Sequence, residues 1–263
     1  MNRIQKAFSN GKAFIGFVTA GDPSMDKTQE FIMAMVEAGA DLIEIGIPFS
    51  DPVAEGNVIQ RANIRALSAG ATIHGIFEMV EKIRKKTEVP LVFLTYLNPV
   101  HFYGYEAFSK RCGEIGIDGL IVPDLPYEEQ GELLPYCRKY GVELISLIAP
   151  TSEERIGMIA RDAGGFIYCV SSTGVTGVRK TIATDLKTMV GKVRSVTKLP
   201  VAVGFGISSP QQAAEIGALA DGVIVGSAIV KIIETNGGDA AGPLFEYVSE
   251  MKKALGGTGG QAV

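Results

Sequence analysis

Short apolar runs alternate along the chain with longer stretches whose apolar positions recur three and four residues apart. The runs predict strands at 13–18, 42–47, 91–96, 119–122, 143–148, 166–171, 200–204 and 222–226. The periodic stretches predict helices at 24–38, 58–69, 73–86, 105–115, 128–140, 152–163, 184–196, 228–234 and 243–255, with a further helix opening at Ser209. Residues 1–8 look like a short amphipathic helix. Local punctuation agrees with this reading. Gly39 suits a helix end, Thr151 with Glu154 forms a capping box, and Ser209-Pro210-Gln211-Gln212 combines a cap, a first-turn proline and a capping-box glutamine. The glycine-rich stretch 256–263 is expected to be a flexible tail.

A weak internal repeat supports the count. Gly39-Ala40-Asp41-Leu42, Gly116-Ile117-Asp118-Gly119 and Ala220-Asp221-Gly222-Val223 share a small residue, an aspartate and an apolar run, and all three open even-numbered strands. Val89-Pro90-Leu91 and Leu199-Pro200-Val201 share another pattern and open odd-numbered ones. Alternating strand and helix in eight units fits an α/β fold of the (β/α)8 TIM-barrel type better than an open doubly wound sheet. The expectation is one barrel domain over 1–255, with an extra N-terminal helix and a short phosphate-site helix after the eighth strand.

Composition narrows the function. With 46% hydrophobic and 21% charged residues in 263, the chain can bury a sizeable core, and a net charge of −4 without a long basic cluster argues against nucleic acid. No apolar run is long enough to cross a membrane, and the first residues lack the apolar core of a signal peptide, so a cytoplasmic protein is expected. Three scattered cysteines, Cys112, Cys137 and Cys169, suggest reduced thiols. Two isolated histidines build no transition-metal spacing, and no metal is expected.

The candidate chemistry centres on Glu44. It lies inside an apolar run in which a carboxylate is costly unless paired or protonated, and Pro48 then breaks the run into the acidic loop 48–57. One reading is an acid/base carboxyl with a raised pKa; the other is a structural glutamate bonded to neighbouring loops. Asp51 and Glu55 on the same loop, Asp124 on the fourth and Tyr168 in the sixth strand would share its rim. Asp51 and Asp124 could equally stabilise loops, and Tyr168 could be a core aromatic. Three late glycine-rich turns, at 171–177, 204–208 and 226–227, would offer backbone N–H groups to an anion, or simply turn the chain. None of the eight predicted strands carries a lysine for Schiff-base chemistry.

Phe17-Val18-Thr19-Ala20-Gly21-Asp22-Pro23, Glu44-Ile45-Gly46-Ile47-Pro48-Phe49-Ser50-Asp51-Pro52 and Gly174-Val175-Thr176-Gly177, in that order, resemble the tryptophan synthase alpha chain family from the first helix to about residue 255. The resemblance implies retro-aldol cleavage of indole-3-glycerol phosphate to indole and glyceraldehyde 3-phosphate. It makes Glu44 the general acid/base and places Tyr168 beside the substrate. Phe17, Leu94, Ile121 and Phe205 would wall the indole, although each could be ordinary core packing, and Gly177, Gly206, Gly226 and Ser227 would hold the phosphate. Where many members read Ala-Asp-Gly-Pro, this chain reads Ala54-Glu55-Gly56-Asn57, so the second carboxylate falls on Glu55, one methylene longer. The resemblance also implies a beta-chain partner in an alpha2beta2 heterotetramer, with Pro48, Asp51 and Asn98 at the interface. Pyridoxal phosphate would belong to that partner, with no cofactor in this chain. The aromatic run 98–105 is expected in or beside a rim loop, either as part of that interface or folded back on its own barrel. Two rivals remain at this stage: another phosphosugar barrel such as an isomerase, and a subunit that serves mainly to activate the beta chain.

Overall fold

The computed structural model describes residues 1–149, 155–170, 179–204 and 206–256. Eight parallel strands close into a barrel in chain order: β1 (Ala13–Thr19), β2 (Leu42–Gly46), β3 (Leu91–Leu94), β4 (Gly119–Ile121), β5 (Glu143–Ile148), β6 (Ile167–Val170), β7 (Val201–Gly204) and β8 (Gly222–Val225). β8 pairs with β1 from Ala13↔Gly222 to Gly16↔Val225, so the sheet has no free edge. The expected (β/α)8 architecture is present.

Helices α1 (Arg3–Ala7), α2 (Met25–Glu37), α3 (Asn57–Ser68), α4 (Ile73–Arg84), α5 (Leu97–Tyr103), α6 (Tyr105–Ile115), α7 (Leu134–Lys139), α8 (Ile156–Asp162), α9 (Arg179–Val196), α10 (Pro210–Gly217), α11 (Ser227–Asn236) and α12 (Ala241–Gly256) surround or cap the strands. Strand alternation sorts the apolar residues into two shells. Ile15, Leu42, Val92, Ile121, Ile145, Ala202 and Ile224 fill the barrel interior, while Val18, Ile43, Ile45 and Phe93 face the helices. Ile4 and Ala7 of α1 join the interior cluster, so this helix plugs one end of the barrel. Its start is fixed by an Asn2–Gln5 capping box that sequence reading did not register.

The repeated aspartates have a shared task. Asp41, Asp118 and Asp221 each accept a hydrogen bond from the backbone N–H of the preceding odd-numbered strand, at Phe14 (2.6 Å), Leu91 (2.9 Å) and Val201 (2.9 Å). Each also pairs with a cation from a surrounding helix: Lys252 of α12, Arg84 of α4 and Arg194 of α9. Each aspartate thus clips two adjacent strands and one helix together at the N-terminal end of the barrel. β5 and β6 lack this clip because Gly164-Gly165 stand where the aspartate would be. There Asn2 donates to Glu143 at 3.1 Å, so α1 supplies a fastening of its own.

Several expectations need correction. Residues 98–105, expected in or beside a rim loop, are largely helical: Leu97–Tyr103 forms α5, and Asp124 Oδ1 accepts from Leu97 N–H (2.9 Å) at a helix start with no cap of its own. Tyr103 packs edge-on to Phe77, 5.5 Å between ring centroids, while Phe102 points outward. The helix expected at 128–140 is split into a 3-10 segment, Tyr127–Glu132, and α7, since Pro135 has no N–H for a continuous ladder. At α10, Ser209 caps Gln212 N–H as expected, but the Gln212 side chain accepts from Ser208 instead of closing the capping box. The Thr151–Glu154 box and the tail beyond residue 256 lie outside the described residues. No helix among the described residues is long and apolar enough to cross a membrane.

Candidate active site

A cavity of about 430 Å³ opens at the C-terminal ends of the strands, and Glu44 forms part of its wall. The alternation along β2 turns Ile43 and Ile45 toward the helices and Glu44 into the barrel. Its carboxyl group is 1% exposed, and Oε2 has no hydrogen-bond partner. Burial, with a smaller contribution from the charge of Glu55, pushes its pKa up to about 8. At neutral pH Glu44 is therefore mostly a carboxylic acid, which resolves the cost of an unpaired charge in this strand.

Glu55 lines the same cavity from the loop after β2. Its pKa is also raised by burial, but hydrogen bonds from Asn63 and Tyr96 oppose the rise by favouring the anion. The Asn63 Nδ2 contact is 2.6 Å, and Gln60 Nε2 holds the Glu55 carbonyl at 2.8 Å. The cavity therefore holds a proton donor and a more ionisable carboxyl group.

Tyr168 lines the same cavity from β6, and its hydroxyl is pushed well up by burial and then by the charge of Glu44, so it stays protonated. Phe17 and Leu94 are apolar lining residues. Ile121 is fully buried in the barrel interior and does not line the cavity. Gly206, Gly226 and Ser227 also line it, and Ser227 opens α11. This helix runs to Asn236, longer than the expected 228–234. Gly206 has φ 61°, a conformation in which a side chain would be strained. Gly177 and Phe205 lie outside the described residues.

The remaining rim carboxylates are placed differently. Asp124 is occupied in capping α5, and Asp51 is exposed, accepts from Ser50 Oγ, and does not line the cavity. Of the residues expected at a partner interface, Pro48 is buried, whereas Asp51 and Asn98 are exposed. No cluster of metal-ligating side chains occurs among the described residues.

Sequence reading missed four contributors to this site. Asn63 and Tyr96 hold Glu55 and its loop, and no local pattern links them to it, because the contacts come from a later helix and from the turn after β3. Lys231 also lines the cavity, and its i+4 spacing from Ser227 on α11 could have revealed it. Gly204 makes room for Tyr168, a demand that exists only once the barrel closes.

A family model described as tryptophan synthase alpha chain matches residues 4–255. The tryptophan synthase alpha chain of Lactiplantibacillus plantarum is 53% identical over 258 residues, covering 98% of this chain and 97% of that one. The alpha chain of Alkaliphilus metalliredigens is 54% identical over 223 residues, covering 85% and 84%. A crystal structure of the Legionella pneumophila alpha chain superposes with a TM-score of 0.89 at 37% identity, covering 99% of this chain and 100% of that chain. A chain of the tryptophan synthase complex from Pyrococcus furiosus superposes with a TM-score of 0.84 at 35% identity, covering 92% and 99%. The barrel, the cavity and these likenesses agree, and the chain belongs to the tryptophan synthase alpha chain family.

Proposed function

We propose that Glu44 and Glu55 are the two working carboxylates of the family's alpha reaction, the lyase step of tryptophan biosynthesis that cleaves indole-3-glycerol phosphate to indole and glyceraldehyde 3-phosphate. The observation that carries this assignment is a buried carboxyl group with a free oxygen, Glu44, in one cavity with a second carboxyl held by donors. Protonated Glu44 delivers its proton to indole C3, and positive charge develops on the ring nitrogen. Anionic Glu55 stabilises that charge in a site with little water. Glu44, now a carboxylate, removes the proton of the side-chain hydroxyl as the carbon–carbon bond breaks. The bond electrons return to the ring, the hydroxyl carbon becomes the aldehyde, and Glu44 regains its proton.

Phe17 and Leu94 support an apolar seat for the ring, with Tyr168 beside it. Phosphate fits beside Gly206, Gly226 and the first turn of α11, which can offer backbone N–H groups. This chemistry draws on side chains alone and assigns no cofactor to the chain. Pyridoxal phosphate then belongs to a beta chain that receives the indole, within an alpha2beta2 assembly. Exposed Val53, Asn98 and Phe102, on the loops and helix after β2 and β3, support a partner surface at that rim. The unpaired, buried thiols of Cys112, Cys137 and Cys169 are in keeping with a reducing, cytoplasmic setting. The test is Glu44→Gln assayed for indole release, where a fall of roughly 10²-fold or more is expected. Activity within a few-fold of wild type would return Glu44 to a structural role.

A further inference from the structure

The loop that carries Glu55 is tied down at three points. Tyr96 Oη accepts from Ala54 N–H at 3.2 Å, Gln60 Nε2 donates to the Glu55 carbonyl at 2.8 Å, and Asn63 Nδ2 donates to Glu55 Oε2 at 2.6 Å. Two of these anchors belong to α3, and the third, Tyr96, stands just before α5 in the turn that follows β3. Asn63 and Tyr96 are 4% and 1% exposed, so neither side chain is shared with solvent. The Tyr96 ring is further seated against Phe49, 5.4 Å between centroids.

We propose that Asn63 and Tyr96 are positioning residues for the second carboxylate: Asn63 holds the Glu55 carboxyl and Tyr96 holds the adjoining loop at Ala54, and together they keep Glu55 anionic in the cavity that Glu44 also lines. The proposal deepens the reading of Glu55 given above and rests on it. An amide N–H can only donate, so the Asn63 contact is stronger to the anionic carboxylate than to its protonated form and favours the anion. The Tyr96 hydroxyl already accepts from Ala54, which leaves its own proton for Glu55. Burial, reinforced by the charges of Glu55 and Asp124, pushes that hydroxyl up to about 12, so it remains a donor throughout the working range. Among the described residues, the other titratable or charged groups facing this region are Glu44 of β2, Tyr168 of β6, Asp124 after β4 and Lys231 of α11. Only Lys231 among them is a cation, and it is paired with Glu234 at 2.8 Å. Charge stabilisation of Glu55 therefore falls mainly to Asn63 and Tyr96. The same clamp holds a carboxyl group at the end of a long side chain on a loop that runs through Glu55-Gly56-Asn57, a stretch with no proline to stiffen it.

The experiment measures indole release by the full chain, assayed with its beta chain, for Asn63→Leu, Tyr96→Phe, Glu55→Ala and Glu55→Asp. Asn63→Leu keeps the volume and removes the donor; Tyr96→Phe keeps the ring and removes only the hydroxyl. Each is expected to lower kcat by about tenfold to a hundredfold, the worth of a hydrogen bond to a charged group, with KM changed less than about threefold. Without a donor the Glu55 anion is less favoured and its pKa rises, so the acid limb of the kcat profile should move to higher pH by about one unit. In a Glu55→Asp background the carboxylate no longer reaches Asn63, and Asn63→Leu should cost much less there. Unchanged kcat with an unmoved acid limb would overturn the clamp, and so would a loss of kcat with the limb in place, since that marks a structural role. Should Asn63→Leu fail to fold, Tyr96→Phe decides the matter alone. If Glu55→Ala is itself fully active, the assignment of Glu55 falls. If Glu55→Ala is inactive while the Asn63 and Tyr96 variants are normal, only the clamp falls.

Discussion

Gly204 and Tyr168 compete for one space: a β-carbon at 204 would lie 2.6 Å from both Cε2 and the hydroxyl oxygen of Tyr168. β7 is therefore kept bare at this point so that the ring of its neighbour in β6 can lie against it. Gly204→Ala should push the ring into the cavity where the indole is proposed to sit. A rise in KM of roughly tenfold is expected, with a smaller effect on the melting temperature, because the ring has an open cavity to move into. Substrate kinetics with a thermal melt check this, and a normal KM would mean that Tyr168 does not define the pocket.

Glu44 should leave its mark on stability as well as on activity. Its pKa is about 8 in the folded chain against 4.5 in an exposed one, so between these values the folded state holds a proton that the unfolded state has lost. Unfolding then releases a proton, and stability must fall as pH rises through the window, by roughly 1.4 kcal/mol per pH unit. Glu44→Gln removes this slope. Urea melts at pH 5 and pH 8 should show the variant gaining on wild type at the higher pH, and parallel curves would mean that Glu44 titrates normally.

Lys231 sits one turn beyond Ser227 on α11 and lines the part of the cavity assigned to phosphate. Its partner Glu234 is also paired with Arg61 and Arg65, so Glu234 stays neutralised if Lys231 turns toward an incoming dianion. Lys231→Met should weaken binding of glycerol phosphate several-fold and more so at low salt, while free indole binds as before. Calorimetry with both ligands separates these outcomes. Equal loss for the two would show that the residue shapes the cavity and does not serve the anion.

The clip at Asp118 predicts a purely structural effect. Its side chain is 12% exposed, accepts from Leu91 N–H, and pairs with Arg84, itself 12% exposed. Asp118→Ala leaves a buried donor and a buried cation without their partner, at a cost of about 2–4 kcal/mol. Denaturant melts should show that loss. The specific activity of the folded enzyme should stay unchanged, because the clip lies at the far end of the barrel from Glu44.

The parts of this molecule that were legible in the sequence are those governed by local rules. Strand alternation, the helix cap at Ser209 and the glycine after α2 mark elements within a few residues of their observed ends. Glu44 stood out because a carboxyl group within an apolar strand breaks the local pattern. Helix α5 was missed because its cap, Asp124, comes from a different loop, and the break before α7 was missed because helical periodicity outweighed Pro135. Asn63 and Tyr96 were invisible for the same reason as α5: their role arises from contacts between distant segments. The repeated aspartates were seen as a pattern but not as clips, since a clip has three partners and only the closed barrel brings them together.

Those clips all lie where the strands begin, and the proposed chemistry lies where they end. Closure of the barrel and the choice of reaction are thus entrusted to opposite faces of one sheet. Loops at the catalytic face can lengthen, shift or exchange residues without loosening what holds the strands together. A scaffold fastened in this way is evolvable: natural variation, or a designer, can rewrite one face while the other keeps the fold intact.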